Sequence, residues 1–311
     1  MSELHAALEE YLAVRRALGF KLCSVERFLQ RFVDFVEQQG ATVITTKLAL
    51  QWATQPAQAQ PAHWAARLGM VRRFAQYRRA LDSRTEVPPP DLLPFKVRRP
   101  APYLYSDDEV RRLIRAASQL RSASGLRART FVTLFSLFAV TGMRTSEPLQ
   151  LDRDDVDLNH GVLTVRDTKF GKSRYVPMHA STQRALRGYV RHRDRLCALP
   201  QSPSFFISER GTRLTQWCLR WTFVKLSREI GLRGPGDSHG PRLLDFRHRF
   251  AVNTLIRWYR SGVDVERHLP ELSTYLGHVH ITDTYWYLSA VPELMHLAAR
   301  RLERTARGGT R

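Results

Sequence analysis

Residues 87–102 read VPPPDLLPFKVRRPAP, six prolines in sixteen residues. Each proline removes a backbone N–H donor and clashes with the preceding turn of a helix, so this stretch has to run as an extended strap. No helix can cross it. The chain therefore divides into two bodies, residues 1–86 and 103–311, joined by a linker over 87–102. A length of 311 residues lets each body bury its own core, and an apolar fraction of 43% excludes disorder as the main state.

Before the strap the apolar residues recur at helical spacing. A first helix over residues 1–18 carries Leu4, Leu8, Tyr11, Leu12 and Leu18 and stops at Gly19, a C-cap. Ser24 is placed to cap a second helix with Val25, Phe28, Leu29, Phe32, Val33 and Val36 on one stripe, ending at Gly40. A third follows Thr46 with Leu48, Leu50 and Trp52, and a fourth runs over about residues 61–81 with Trp64, Leu68, Val71, Phe74 and Tyr77 inward. Arg67, Arg72, Arg73, Arg78 and Arg79 are expected on its outward face. Four such helices make a compact all-α domain, and Arg67, Arg72 and Arg73 mark its candidate DNA-facing surface, the alternative being a merely solvated face.

After the strap, Ser106-Asp107-Asp108-Glu109 is a capping box that opens a helix through about Gln119. Residues 130–140 are nearly all apolar and should lie at the centre of the second core. A strand over 161–165, a turn over 168–173 and a return strand over 174–177 predict a small antiparallel sheet. Helices are expected over 181–196, 215–230, 243–260, 269–276 and 292–304, with a loop over 231–242. The fold class is thus mainly α with a small antiparallel β-sheet.

Lys and Arg outnumber Asp and Glu by 49 to 29, a net charge of +20, which on a folded chain is the footprint of a polyanion binder. Residues 1–95 hold 12 basic and 9 acidic residues, leaving 37 and 20 for 96–311, so the second body should grip phosphates hardest. Lys96, Arg98 and Arg99 would suit a strap lying over a phosphate backbone, or a solvated linker. Cys23, Cys197 and Cys218 are far apart, which suggests neither a zinc site nor a disulfide framework. With no signal-peptide pattern and no apolar run of membrane-spanning length, a cytoplasmic, nucleoid-associated chain without membrane partners is expected.

The chemistry-bearing stretch is residues 241–290. Arg247 and His248 stand at the head of an apolar helix, Leu276-Gly277-His278 follow, and Tyr287 comes nine residues after that histidine. An arginine that cannot lose its proton can hold a phosphate, a histidine can donate to it, and a phenol can attack phosphorus. Upstream, Thr141-Gly142-Met143-Arg144 is followed by Thr145, Ser146 and Glu147, and the 168–173 turn carries Lys169 and Lys172.

This ordered set resembles the catalytic signature of the tyrosine recombinase (phage integrase) family, and the likeness extends over nearly the whole chain. It implies an N-terminal four-helix SAM-like core-binding domain and a mixed catalytic domain forming a C-shaped clamp on duplex DNA. It further implies a homo-oligomer with two protomers per site and four in the synapse, with or without sister recombinases. On the resemblance, Arg144 and Arg247 clamp one phosphodiester, Lys169 protonates the departing 5′ oxygen with Lys172 as the alternative, and His278 donates to a phosphate oxygen. Tyr287 is the nucleophile that forms a 3′-phosphotyrosyl link, with Tyr285 as the alternative and Tyr275, Tyr285 and Trp286 as packing residues; Glu147 supports Arg144. Such chemistry needs neither metal nor cofactor.

One position departs from the pattern. The family's second box is commonly His-x-x-Arg, and three residues before Arg247 this chain has Leu244, which cannot exchange a proton. His248 is rotated about 100° from Arg247 on a helix, and His239 lies in the preceding loop. The readings left open are a site-specific integrase of a mobile element, a recombinase-fold DNA-binding accessory protein with little or no cleavage, a type IB topoisomerase or hairpin telomere resolvase, and an RNA-binding protein.

Overall fold

The computed structural model describes residues 2–94, 102–166, 173–237 and 239–308. Lys96, Arg98 and Arg99 of the strap and Lys169 and Lys172 of the turn lie outside them. Two compact units are present, Met1–Pro100 and Ala101–Arg311.

The first unit is built from α1 (Glu3–Ala17), α2 (Cys23–Gln38), α3 (Thr46–Thr54) and α4 (Pro61–Arg79). Its core is Leu8, Leu12, Phe32, Val36, Trp52, Leu68 and Phe74, with Phe32 edge-on to Trp52 at 5.3 Å between ring centroids. Two expectations need correction. Helix α2 begins at Cys23 after Leu22 in a left-handed conformation (φ 44°), so Ser24 lies inside the first turn and does not cap it.

The second concerns the outward arginines of α4. Arg67 is only 9% exposed: its guanidinium lies 3.8 Å over the Trp52 ring and donates to the Trp52 carbonyl at 2.7 Å. Arg78 is buried too, paired with Glu3 and Asp82. The cause is helical period, because Arg67, Val71, Phe74 and Arg78 stand at i, i+4, i+7 and i+11 on one inward stripe. Arg67 is thereby withdrawn as a surface contact. Arg72 donates to the carbonyls of Pro88 and Pro89 at 2.7 and 2.6 Å, and Val87 and Leu93 pack on the helical core, so the first half of the strap is pinned to this unit. Arg73 and Arg79 do face out.

In the second unit the Ser106 capping box forms as expected, Ser106 Oγ accepting from Glu109 N at 3.1 Å and Glu109 Oε2 accepting from Ser106 N at 2.8 Å, and it opens α5 (Asp107–Ser118). Helix α6 (Leu126–Thr141) is central, with Phe131, Leu134, Phe135 and Phe138 all but fully buried. It is followed by the short α7 (Glu147–Gln150) and the sheet β1 (Val156–Asp157), β2 (Val162–Val165) and β3 (Arg174–Pro177). The strands are antiparallel in the order β1-β2-β3; Leu163 pairs with Val156 on one side and Val176 on the other, and all three are buried. Strand β1 was not anticipated.

Helices α8 (Ala180–Leu196), α9 (Gln216–Glu229), α10 (Asp245–Arg260), α11 (Val265–Leu276), α12 (Thr282–Ala290) and α13 (Pro292–Gly308) complete the unit. Helix α11 starts before the expected 269 and runs through Pro270. Val265, Leu269, Leu272 and Leu276 form one buried stripe, and that burial outweighs the backbone bond the proline removes.

Helix α10 threads two apolar clusters. Phe246 belongs to the larger one, stacking on Tyr105 at 4.7 Å and on Phe138 at 6.4 Å. Ala251, Val252 and Leu255 belong to a smaller one with α11, α12 and the start of α13. Arg247 and His248 lie at the junction, so packing on both sides sets where they point. Phe246→Ala is expected to destabilise the chain by about 3–5 kcal/mol, read as a lower denaturant midpoint with an unchanged slope.

Candidate active site

The site forms where α6 and α11 both end. Helix α6 stops at Gly142, whose φ of 59° suits glycine, and a Cβ there would come within 2.8 Å of the Phe250 ring. Helix α11 stops at Gly277 (φ 69°), with the N–H of His278 bonded to Ser273 O at 3.0 Å and that of Gly277 to Thr274 O at 2.9 Å. This is a Schellman closure. It leaves the carbonyls of Tyr275, Leu276 and Gly277, three in succession, each needing a donor.

Each is taken by a different arginine. Arg174 Nε donates to Tyr275 O at 2.8 Å, Arg247 Nη2 to Leu276 O at 2.5 Å and Arg144 Nη2 to Gly277 O at 2.6 Å. Arg247 also donates through Nη1 to Gly142 O at 3.1 Å, tying the two helix ends together. The negative end of the α11 dipole and the three guanidiniums stabilise one another.

Glu147, 1% exposed, is the carboxylate among them. It accepts from Arg174 Nη1 and Nη2 at 2.8 Å each, a two-pronged pair, and from Arg144 N and Nη1 at 2.8 and 3.0 Å. Burial pushes its pKa up, but the hydrogen bonds and charge of Arg174, followed by those of Arg144, hold it below its ordinary 4.5. Arg247, 3% exposed, is pushed down to about 10, first by burial and then by the charge of Arg144. Three guanidiniums against one carboxylate leave a surplus of positive charge suited to an anion.

Beside this cluster lies the phenol. Tyr287 is 1% exposed, and its Oη lies 3.3 Å from His248 Nδ1. The His278 ring stacks near-parallel to it, centroids 6.2 Å apart, and His278 Nδ1 bonds Thr284 Oγ1 at 2.7 Å. Trp286 packs 5.4 Å from His248, and Tyr275 stacks on Phe250 at 5.4 Å, both in packing roles. Tyr285 does not pack: it is 44% exposed, because two residues along a helix turns a side chain to another face.

Arg144, Glu147, Arg247, His248, His278 and Tyr287 are thus gathered at one place, whereas Arg67, Arg72 and Arg73 belong to the other unit. Sequence reasoning missed Arg174, Asp245 and Thr284. Only a buried polar residue at a fixed offset from its partner could have signalled the last two, Asp245 three residues before His248 and Thr284 six after His278. Leu244 is 38% exposed and lines a cleft with Thr145, Arg220, Arg233 and Arg242, while His239 is exposed in its loop. Among the described residues no group of three His, Cys, Asp or Glu side chains is arranged to hold a metal, and no helix is long and apolar enough to cross a membrane.

The sequence profile of the phage integrase family matches residues 104–293. A Sinorhizobium fredii protein named as an integrase/recombinase is 53% identical over 308 residues, 98% of each chain. This chain belongs to the phage integrase family. Solved integrases share its fold at low identity. The Tn1549 transposon integrase in complex with transposon right end DNA matches with a TM-score of 0.63 at 16% identity, covering 96% of this chain and 99% of that one. A lambda integrase tetramer bound to a Holliday junction matches with a TM-score of 0.56 at 18% identity, covering 90% and 78%.

Because folding lowers the Glu147 pKa, the stability it contributes is complete above its ordinary 4.5 and is lost as pH falls through the lower folded value. Glu147→Gln is expected to cost about 3–5 kcal/mol near neutral pH, as for any buried pair stripped of one partner. It should also flatten the acid limb of the stability curve, measured by denaturant melts at stepped pH.

Proposed function

We propose that this family member is a site-specific DNA recombinase that cuts and rejoins duplex DNA through a 3′-phosphotyrosyl intermediate, serving the integration and excision of a mobile element. The observation that carries the reading is the meeting of Arg144, Arg174 and Arg247 on successive carbonyls beside the Tyr287 phenol. Arg144 and Arg247 hold the non-bridging oxygens of the scissile phosphate and stabilise the charge of the pentacovalent transition state. His278 donates to the same phosphate, oriented by Thr284, and Glu147 keeps Arg144 in place. Tyr287 Oη attacks phosphorus, and Lys169, with Lys172 as the alternative, supplies the proton of the departing 5′ oxygen.

The helical unit serves as the core-binding domain and the second unit as the catalytic domain. Arg72 and Arg73, with Lys96, Arg98 and Arg99 of the strap, contribute phosphate contacts. Arg220, Arg233 and Arg242, lining the cleft beside Leu244, extend the basic surface next to the site. A mobile-element role is supported by the fold shared with a transposon integrase, a tetrameric synapse by the fold shared with the lambda integrase tetramer, and a dimer on each site by the fold shared with a lambda integrase dimer bound to a core site.

In-line attack needs reacting atoms about 3–3.5 Å apart. With Tyr287 1% exposed, the packing that covers it has to open when DNA is bound. A second reading, a DNA-binding accessory protein without cleavage, is favoured by Leu244, which presents a hydrocarbon where relatives commonly present imidazole.

A nicked duplex chosen from a randomised pool by its affinity for the chain separates the two. A covalent adduct that disappears in Tyr287→Phe supports the recombinase; tight binding with no adduct supports the accessory protein. Arg247→Lys keeps the charge but loses the fork that spans Gly142 O and Leu276 O. It is expected to slow adduct formation by about 10²- to 10³-fold, the usual cost of one transition-state donor.

A further inference from the structure

We propose that His248 is the general base that takes the proton of Tyr287, filling the role that Leu244 cannot. The inference rests on the reading above, in which Tyr287 is the nucleophile. Adjacent residues on a helix point about 100° apart. Arg247 is directed at the ends of α6 and α11, and His248 therefore turns toward α12, where its Nδ1 lies 3.3 Å from Tyr287 Oη. That is hydrogen-bonding reach of the kind a base needs before its substrate is bound.

The other side of the ring is prepared as well. Asp245, one turn earlier on α10 and 1% exposed, places Oδ1 3.9 Å from His248 Nε2. Arg242 holds that carboxylate through its backbone N–H at 2.7 Å and Nη2 at 3.0 Å. A fixed negative charge beside Nε2 favours a proton there, leaves the Nδ1 lone pair for the phenol, and stabilises the imidazolium that proton transfer creates. Trp286, packed 5.4 Å from the ring, restrains its rotation.

Phenol, imidazole and carboxylate thus follow one another in the order of a nucleophile, its base and a charge beside that base, the carboxylate acting through its charge at 3.9 Å. Among the described residues, Trp286 packs edge-on against Tyr287 at 5.3 Å, and His278 and Arg247 face it too. The His278 ring lies near-parallel to the phenol and offers it a ring face, while Arg247 interacts with it electrostatically and favours the phenolate.

During cleavage the Tyr287 proton passes to His248 Nδ1 as the Oη–P bond forms and the P–O5′ bond breaks; the 5′ oxygen takes its proton from Lys169. During rejoining a 5′ hydroxyl gives its proton back to neutral Lys169, attacks phosphorus, and the imidazolium returns a proton to Tyr287 Oη. No proton or electron is gained or lost over the cycle.

The test uses the full chain and the duplex selected above, with the bridging 5′ atom at the mapped cleavage position either oxygen or sulfur. Sulfur leaves without needing a proton. His248→Asn keeps an acceptor near the Nδ1 position but cannot take a proton. It is expected to bind the duplex as the parent does and to form adduct about 10²- to 10⁴-fold more slowly, equally so with either bridging atom. Lys169→Ala, in contrast, is expected to recover with sulfur.

Cleavage by His248→Asn at the parental rate would reduce His248 to a positioning residue and overturn the proposal. Recovery of that variant by sulfur would move its role to the leaving group and overturn it too. If the unmodified chain gives no Tyr287-dependent adduct, the recombinase reading fails first and takes this one with it. Nitrogen NMR of His248 in the unmodified protein is independent of cleavage and of how the variant folds. A protonated Nε2 and bare Nδ1 are expected, and the reverse tautomer refutes the assignment.

Discussion

The end of α11 is the constraint from which the rest of the second unit follows. Three successive carbonyls at a buried helix terminus cannot be left without donors, and three guanidiniums brought this close repel unless something negative lies between them. Each solves the other's problem. Arg174 comes from β3, Arg247 from α10 and Arg144 from the loop after α6, so one helix end fastens three parts of the chain that are remote in sequence. Gly277 makes this possible, because at φ 69° a Cβ would come within 2.9 Å of the Arg174 guanidinium. The arrangement is only partly neutralised by Glu147. Burying a guanidinium as deeply as that of Arg247 disfavours its charge, and the lowered pKa records that cost. On the proposed function an incoming phosphate would offset it, and a site costly to the free chain would be preorganised for the transition state.

Where periodicity and chemistry agreed, the sequence was legible. The capping box at Ser106, the apolar α6 and the β2–β3 pair follow from local rules, and all three are observed. The misreadings share one cause, the weighing of residue type above position. Arg67 and Arg78 fall on the same stripe as Val71 and Phe74, yet their charge suggested an outward face; the structure buries both, Arg67 against Trp52 and Arg78 against Glu3 and Asp82. Helix α11 begins at Val265, ahead of the expected Leu269, because Val265 continues the buried stripe of Leu269, Leu272 and Leu276. A two-residue strand such as β1 has no local signature, since pairing with β2 creates it.

The site divides in the same way. Arg144, Glu147, Arg247, His248, His278 and Tyr287 could be picked out because their order along the chain is itself informative, and the structure brings them together. Arg174 could not. It opens a strand that reads as the return of a hairpin, and nothing local says that its side chain leaves the sheet to meet Glu147 and Tyr275. Asp245 and Thr284 are invisible for a related reason: each matters only through the imidazole it faces.

Tyr287 raises the remaining question, how a buried phenol can be a nucleophile. Its ring belongs to the cluster of α10, α11 and α12, and withdrawing an aromatic side chain of this size from such a cluster costs roughly 2–4 kcal/mol. A conformer with the phenol ring uncovered and its hydroxyl still beside His248 is then about 30- to 1000-fold rarer than the closed one in the free chain. On the proposed function this scarcity is useful. Cleavage without a paired site would leave a broken duplex, and a phenol held in the core reacts only when contacts to DNA favour the open arrangement by a comparable amount. The bond to His248 ties the same residue to the polar side of the cluster, so the phenol is packed by its ring while its hydroxyl keeps a proton acceptor. On that reading ring and hydroxyl answer to different demands, the first limiting how often attack would occur and the second how fast it would go once begun.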